Sequence, residues 1–147
     1  MRNAIEVCQC GFNMNEAEAP RNGRTSPIIC IVRYEVDPEK RAEFELYARL
    51  WVELITRHGG DHHGCFLSRE PPPGTSLSFL GIGREAPENI AVAFFSFPNE
   101  AAYADYRAAV REDLDCAKAE ELLRTSGCVL GYERSFMSRM DEEGGES

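Results

Sequence analysis

Five residues whose side chains bind metals or move protons crowd into one short span: His58, Asp61, His62, His63 and Cys65. Imidazole, carboxylate and thiolate are all metal ligands, and histidine exchanges protons most readily near neutral pH. The spacing, however, matches no established ligand motif. In an extended segment His62 and His63 point to opposite faces, so at most one of them enters a given cavity. His58 falls on the apolar stripe of a helix and reads as a core histidine bonded to a backbone carbonyl. No metal site is expected.

A second polar group is spread over two distant segments. Arg33 and Glu35 share one face of an apparent strand, and Glu133 and Arg134 lie on the last one. If Arg33, Glu133 and one of His62 or His63 converge, they could bind an acidic or phenolic ligand and move a proton. An ion-pair network at a subunit seam would gather the same charges, and that reading is preferred. Phe79 and Phe95 would line an apolar pocket if the segment bearing Phe79 folded over it, whereas Trp51, Tyr103 and Tyr106 read as core. The sequence holds no Ser–His–Asp order and no phosphate-binding glycine loop, and Gly81-Ile82-Gly83 lacks the rest of a dinucleotide motif. No cofactor is expected.

The elements that must position these groups can be followed along the chain. Residues 1–27 carry no apolar period and read as a flexible leader. Ile28–Val36 alternates as a strand, with Ile28, Cys30, Val32, Tyr34 and Val36 on its apolar face. Asp37-Pro38 then starts a helix, because Asp37 can accept bonds from free N–H groups and Pro38 suits the first helical position. Phe44, Tyr47, Ala48, Trp51, Leu54, Ile55 and His58 form its buried stripe, and Gly59-Gly60 ends it. A strand over His62–Arg69 follows, and then the long connection Pro71–Glu88. Its Leu77, Phe79, Leu80 and Ile82 favour a packed flap.

The strand Ile90–Phe97 has no polar face to spare. Ile90, Val92 and Phe94 occupy one side, while Ala91, Ala93, Phe95 and Phe97 occupy the other. A chain this short cannot cover both sides alone, so one side should meet the helices and the other a partner subunit or a ligand. Asn99 caps the next helix, with Ala102, Tyr103, Tyr106, Ala109 and Val110 on its buried face. Asp113 or Asp115 restarts a shorter helix that closes at Gly127, and Cys128–Met137 is the last strand. The order is that of a ferredoxin-like βαββαβ fold in the α+β class: a four-stranded antiparallel sheet with helices on one face. Two such sheets packed face to face would form a shared barrel, so a homodimer is expected.

Composition excludes several function classes. The 147 residues suit one domain over 28–140, followed by an acidic flexible tail at 141–147. A formal charge of −9 without a basic stripe argues against nucleic acid. No apolar run approaches a membrane span and no secretion signal precedes the domain, so a cytoplasmic location is expected. Of the six cysteines, Cys30, Cys65, Cys116 and Cys128 fall in apparent strands and a helix and read as buried free thiols. Cys8 and Cys10 are too closely spaced for a zinc pair and remain candidates for oxidation.

The span Ile28–Met140 resembles the NIPSNAP family of the dimeric α+β barrel superfamily. The segments that carry the likeness are HGGDHHGCFLS at His58–Ser68, AVAFFSFPNEAAYADYR at Ala91–Arg107 and YERSF at Tyr132–Phe136. The resemblance implies a ferredoxin-like protomer and a homodimer with a cavity in each half of the barrel. The wider superfamily includes cofactor-free monooxygenases of aromatic substrates, haem-handling enzymes and small-ligand sensors. The reading that follows is a protein binding a small, partly apolar ligand or acting as an interaction module. Its alternative is a cofactor-independent oxygenase or isomerase of an aromatic or lactone-like molecule. In that case His63 would be the base and Arg33 the anion anchor, with Tyr34 or the long connection shaping the pocket. Candidate ligand contacts are Arg33, His62, His63, Phe79, Phe95 and Glu133. The Pro71–Glu88 insertion departs from the commoner short form of the family.

Overall fold

A computed structural model describes residues 26–79 and 81–140. The leader expected over 1–27 and the tail at 141–147 fall almost wholly outside these residues. Four strands form one antiparallel sheet in the order β2-β3-β1-β4, where β1 is Ile28–Val36, β2 Asp61–Leu67, β3 Ile90–Phe97 and β4 Val129–Met137. Among the described residues the α-helices are α1 at Arg41–Arg57, α2 at Glu100–Val110 and α3 at Leu114–Ser126. This is the expected ferredoxin-like α+β architecture.

The helix starts follow from single side chains. Asp37 accepts from Glu39 N–H at 3.0 Å, but it caps a 3-10 turn over Pro38–Lys40 that leads into α1 rather than α1 itself. Asn99 accepts from Ala102 N–H at 2.8 Å, and Asp113 accepts from Asp115 N–H at 2.9 Å, so each satisfies a donor that the first helical turn leaves free. Gly127 closes α3 in the left-handed conformation at φ 68°. Ala109, expected on the buried face of α2, is exposed, whereas Tyr106 and Val110 are buried.

Strand register assigns the two faces of β3. Phe95 stands opposite Cys30 of β1, Ala93 opposite Val32 and Ala91 opposite Tyr34, and all six are buried beneath the helices. Packed over them are Phe44, Tyr47, Trp51, Leu54 and Ile55 of α1. The opposite face of the sheet carries Ile29, Ile31, Val92 and Phe94, together with Arg33 and Glu133. Among the described residues the helices pack their core residues on the other side, and this open face is the one sequence parity could not assign.

Pro71–Glu88 does not form a packed flap. Leu77, Phe79 and Ile82 are 37%, 72% and 87% exposed, and the bonds inside the segment are local, as in Ile82 and Gly83 N–H to the Phe79 carbonyl. Three consecutive prolines at 71–73 remove backbone donors and disfavour helix or ladder there. Its neck is fixed instead: the Ser68 hydroxyl donates to the Glu88 carbonyl, and Asn89 and Val36 exchange bonds at 2.8 and 3.0 Å.

Candidate functional site

The polar residues picked from the sequence do not meet at one place. Arg33 and Glu133 are cross-strand partners on the open face, paired at 3.2 Å, with both side chains more than a third exposed. An ion pair so open to water contributes at most about 1 kcal/mol. His63 lies on the same face, with Nε2 2.9 Å from Ser96 Oγ and its ring 4.9 Å from that of Phe94. Tyr34 follows Arg33 in the strand and therefore points the other way, into the helix-covered core. The set His63, Arg33 and Tyr34 is thus split across the sheet, and Phe79 stands exposed in the long connection.

His62 and His63 take opposite faces, as alternation requires. His58 differs from expectation: it terminates α1, and its Nε2 lies 2.7 Å from the Asp113 carboxylate instead of meeting a backbone carbonyl. Arg57 reaches the same carboxylate oxygen at 2.8 Å and Asp115 at 3.1 Å. The Arg57 guanidinium at the end of α1 and the two carboxylates at the start of α3 lie where each helix dipole favours their charge. Among the described residues no three His, Cys, Asp or Glu side chains gather as a metal site.

A cavity does occur, on the helix side near the edge strand. Tyr34, Ala48, Trp51, Ile55, His62, Cys65, Ala93 and Phe95 line it, and its volume is about 10 Å³. That is roughly the space of one water molecule. Trp51 is 3% exposed, and its indole Nε1–H has no hydrogen-bond partner among the described residues. His62 stacks on Phe95 at 5.7 Å, and its Nδ1 accepts from Gly64 N–H at 3.0 Å. An accepting Nδ1 fixes the neutral tautomer with the proton on Nε2. Burial, and secondarily the neighbouring His63, hold the His62 pKa below its ordinary value, while burial pushes the Cys65 thiol up to about 11.

Sequence reasoning placed Trp51 in the core and Cys65 in a face-ambiguous cluster, and so missed that they meet. The reason is a β-bulge. His62 pairs with Phe95 and Cys65 with Ala93, so β2 spends three residues where β3 spends two. Strict alternation would put His62 and Cys65 on opposite faces; the extra residue returns both to the helix side. Gly64, at φ 124°, supplies the backbone that this requires, and a mid-strand glycine was the available signal.

With this geometry in view, a family model described as NIPSNAP matches residues 29–141. The chain belongs to the NIPSNAP family. Solved structures with the same fold include an uncharacterised NIPSNAP-like domain protein from Burkholderia xenovorans, at 15% identity and TM-score 0.56, covering 82% of this chain and 90% of that one. A NIPSNAP family protein of unknown function from Agrobacterium tumefaciens is similar at 17% identity and TM-score 0.55, over 81% of this chain and 95% of the other. A variant of SnoaB, a cofactor-independent oxygenase from Streptomyces nogalater, aligns at 14% identity and TM-score 0.50, over 79% and 95% of the two chains. No curated protein matches in sequence. No helix among the described residues is long and apolar enough to cross a membrane.

Proposed function

We propose that this NIPSNAP protein is a homodimeric barrel that binds a small, partly apolar ligand in the cavity between α1 and the sheet. The observation that carries the reading is the buried Trp51 indole N–H, which no described residue pairs, beside a small cavity with mostly apolar walls and the polar atoms of Tyr34, His62 and Cys65. Ligand pockets commonly pair such walls with a few placed polar groups. The half-buried His62 and Cys65 put the edge strand at the solvent side of the cavity, where a ligand can enter. The second copy would cover the open face, whose Ile29, Ile31, Val92 and Phe94 are only partly buried in the protomer.

Soaking crystals with a mixed aromatic library tests the site directly. Ligand density beside Trp51 and His62 is the expected result; density confined to the open face near Arg33 would overturn it. Light scattering at micromolar concentration should return twice the 16.5 kDa chain mass, and F94D should return a monomer. A wild-type monomer would remove the dimer. The oxygenase alternative loses support, because its base His63 and anchor Arg33 lie across the sheet from the cavity.

A further inference from the structure

We propose that the cavity selects a neutral ligand whose buried end is a single hydrogen-bond acceptor oxygen, of the ketone, ester or lactone kind, held between Trp51 Nε1–H and His62 Nε2–H. This rests on the reading of the cavity as a ligand site and states what chemistry it admits. Indole is a donor only, and an imidazole whose Nδ1 already accepts from Gly64 presents its Nε2–H to any further partner. The thiol of Cys65 stays protonated and adds no charge. Tyr34 adds one neutral hydroxyl, Ala48, Ile55, Ala93 and Phe95 offer no polar side-chain atoms, and no Lys, Arg, Asp or Glu lines the cavity.

Each ligand class meets this lining differently. A carboxylate or phenolate would lose its hydration without gaining a cation, since burial disfavours a charged His62. A hydrocarbon would fill the space but leave the indole N–H unpaired. An alcohol can present its oxygen too, but its own O–H then needs a further acceptor, which only the Tyr34 hydroxyl or the weakly accepting Cys65 thiol supplies, so a carbonyl oxygen makes fewer demands. A neutral acceptor satisfies both donors and leaves the rest of the molecule on Phe95 and the aliphatic side chains. Room for more than one oxygen must come from the edge, where the bulge at His63–Gly64 already interrupts the ladder between β2 and β3. Only β3 flanks β2 in the sheet, so this segment can move without breaking a second ladder.

Trp51 is the one tryptophan of the chain, so the full-length protein labelled with ¹⁵N gives one indole N–H signal that reports on the site. Acetophenone, ethylbenzene and benzoate serve as probes of similar size that differ in the acceptor and the charge. Acetophenone should move the indole N–H signal downfield and bind at least about tenfold more tightly than ethylbenzene, the factor expected for pairing one buried donor. Benzoate should bind more weakly than acetophenone. The W51F and H62F substitutions, each keeping a flat ring without the donor, should bring the ratio of acetophenone to ethylbenzene affinity down towards one. Equal affinity of the wild type for acetophenone and ethylbenzene would overturn the acceptor rule while leaving an apolar ligand site. Preference for benzoate would overturn neutrality. No binding of any probe, with the indole signal unmoved, would overturn the proposal together with the cavity reading beneath it.

Discussion

Asp113 is the side chain that ties α1, which carries Trp51, to α3, and its removal tests that arrangement. One carboxylate oxygen caps α3 through Asp115 N–H at 2.9 Å; the other takes His58 at 2.7 Å and Arg57 at 2.8 Å. Loss of a helix cap costs about 1 kcal/mol. A hydrogen bond to a charged group contributes about 1.5–3 kcal/mol, counted once here because His58 and Arg57 share one oxygen and Arg57 retains Asp115. Asp113→Ala should therefore destabilise the domain by about 2.5–4 kcal/mol. At about 4 °C for each kcal/mol, that is a fall in Tm on the order of 10–15 °C. Asp113→Asn keeps a capping oxygen and should cost about 1–2 kcal/mol. The His58 hydrogen bond above all, then the Asp115 backbone N–H and Arg57, hold the Asp113 carboxyl well below the usual carboxylate range. Its contribution is complete above about pH 4, where the unfolded carboxyl is ionised, and is lost as pH falls from there through the folded value. The gap between wild type and the Asn variant should thus narrow from pH 6 to pH 3. Urea unfolding followed by Trp51 fluorescence measures both effects. An alanine variant within 0.5 kcal/mol (about a twofold change in the unfolding equilibrium) of wild type, or a gap that widens in acid, would refute the reasoning.

Two further outcomes follow from the same packing. A Cβ at Gly60 would sit 2.6 Å from Ile55 Cγ2 and 2.8 Å from the Phe97 ring, so Gly60→Ala should cost about 1–3 kcal/mol, read as a lower urea midpoint. With its thiol pushed up to about 11, Cys65 should react with iodoacetamide at pH 7.5 on the order of a hundredfold more slowly than free cysteine, and faster as pH rises towards 11. Peptide mapping of the alkylated chain checks this, and rapid labelling of Cys65 at pH 7.5 would contradict the burial seen here.

Much of the fold was legible because local chemistry and the global pattern agree. Ile28–Val36 alternates along its whole length and forms a strand with those bounds. Asn99 and Asp113 cap the helices they precede, and Gly127 ends the last one. The two apolar faces of β3 called for cover on both sides, and the helices supply it on the side of Ala91, Ala93, Phe95 and Phe97, which parity could not pick out. The reading failed where side chains had no fixed partner in sequence. Leu77, Phe79 and Ile82 suggested packing, but a run of prolines and the absence of periodic structure left them no surface to close on. His58 looked like a core residue from its spacing, yet it is the last turn of α1, where a carboxylate from another helix competes successfully for its ring nitrogen.

The candidate site was hidden by one residue of register. Alternation is a rule about faces, and a bulge suspends it: His62 and Cys65, three apart, reach the same cavity because His63 and Gly64 together occupy a single place in the ladder. Ordinary alternation already sends His63 to the open face, so adjacent histidines serve different surfaces. His62 stacks on Phe95 beneath the helices, and His63 lies against Phe94 and Ser96 on the open face. The His58–Cys65 cluster is therefore divided by the sheet, as the alternation of His62 and His63 required. The residue that completes the buried half, Trp51, comes from a helix whose apolar stripe gave no reason to single it out. Its single chemical peculiarity is an indole N–H that no described residue pairs, a property that depends on tertiary packing and that no sequence pattern displays.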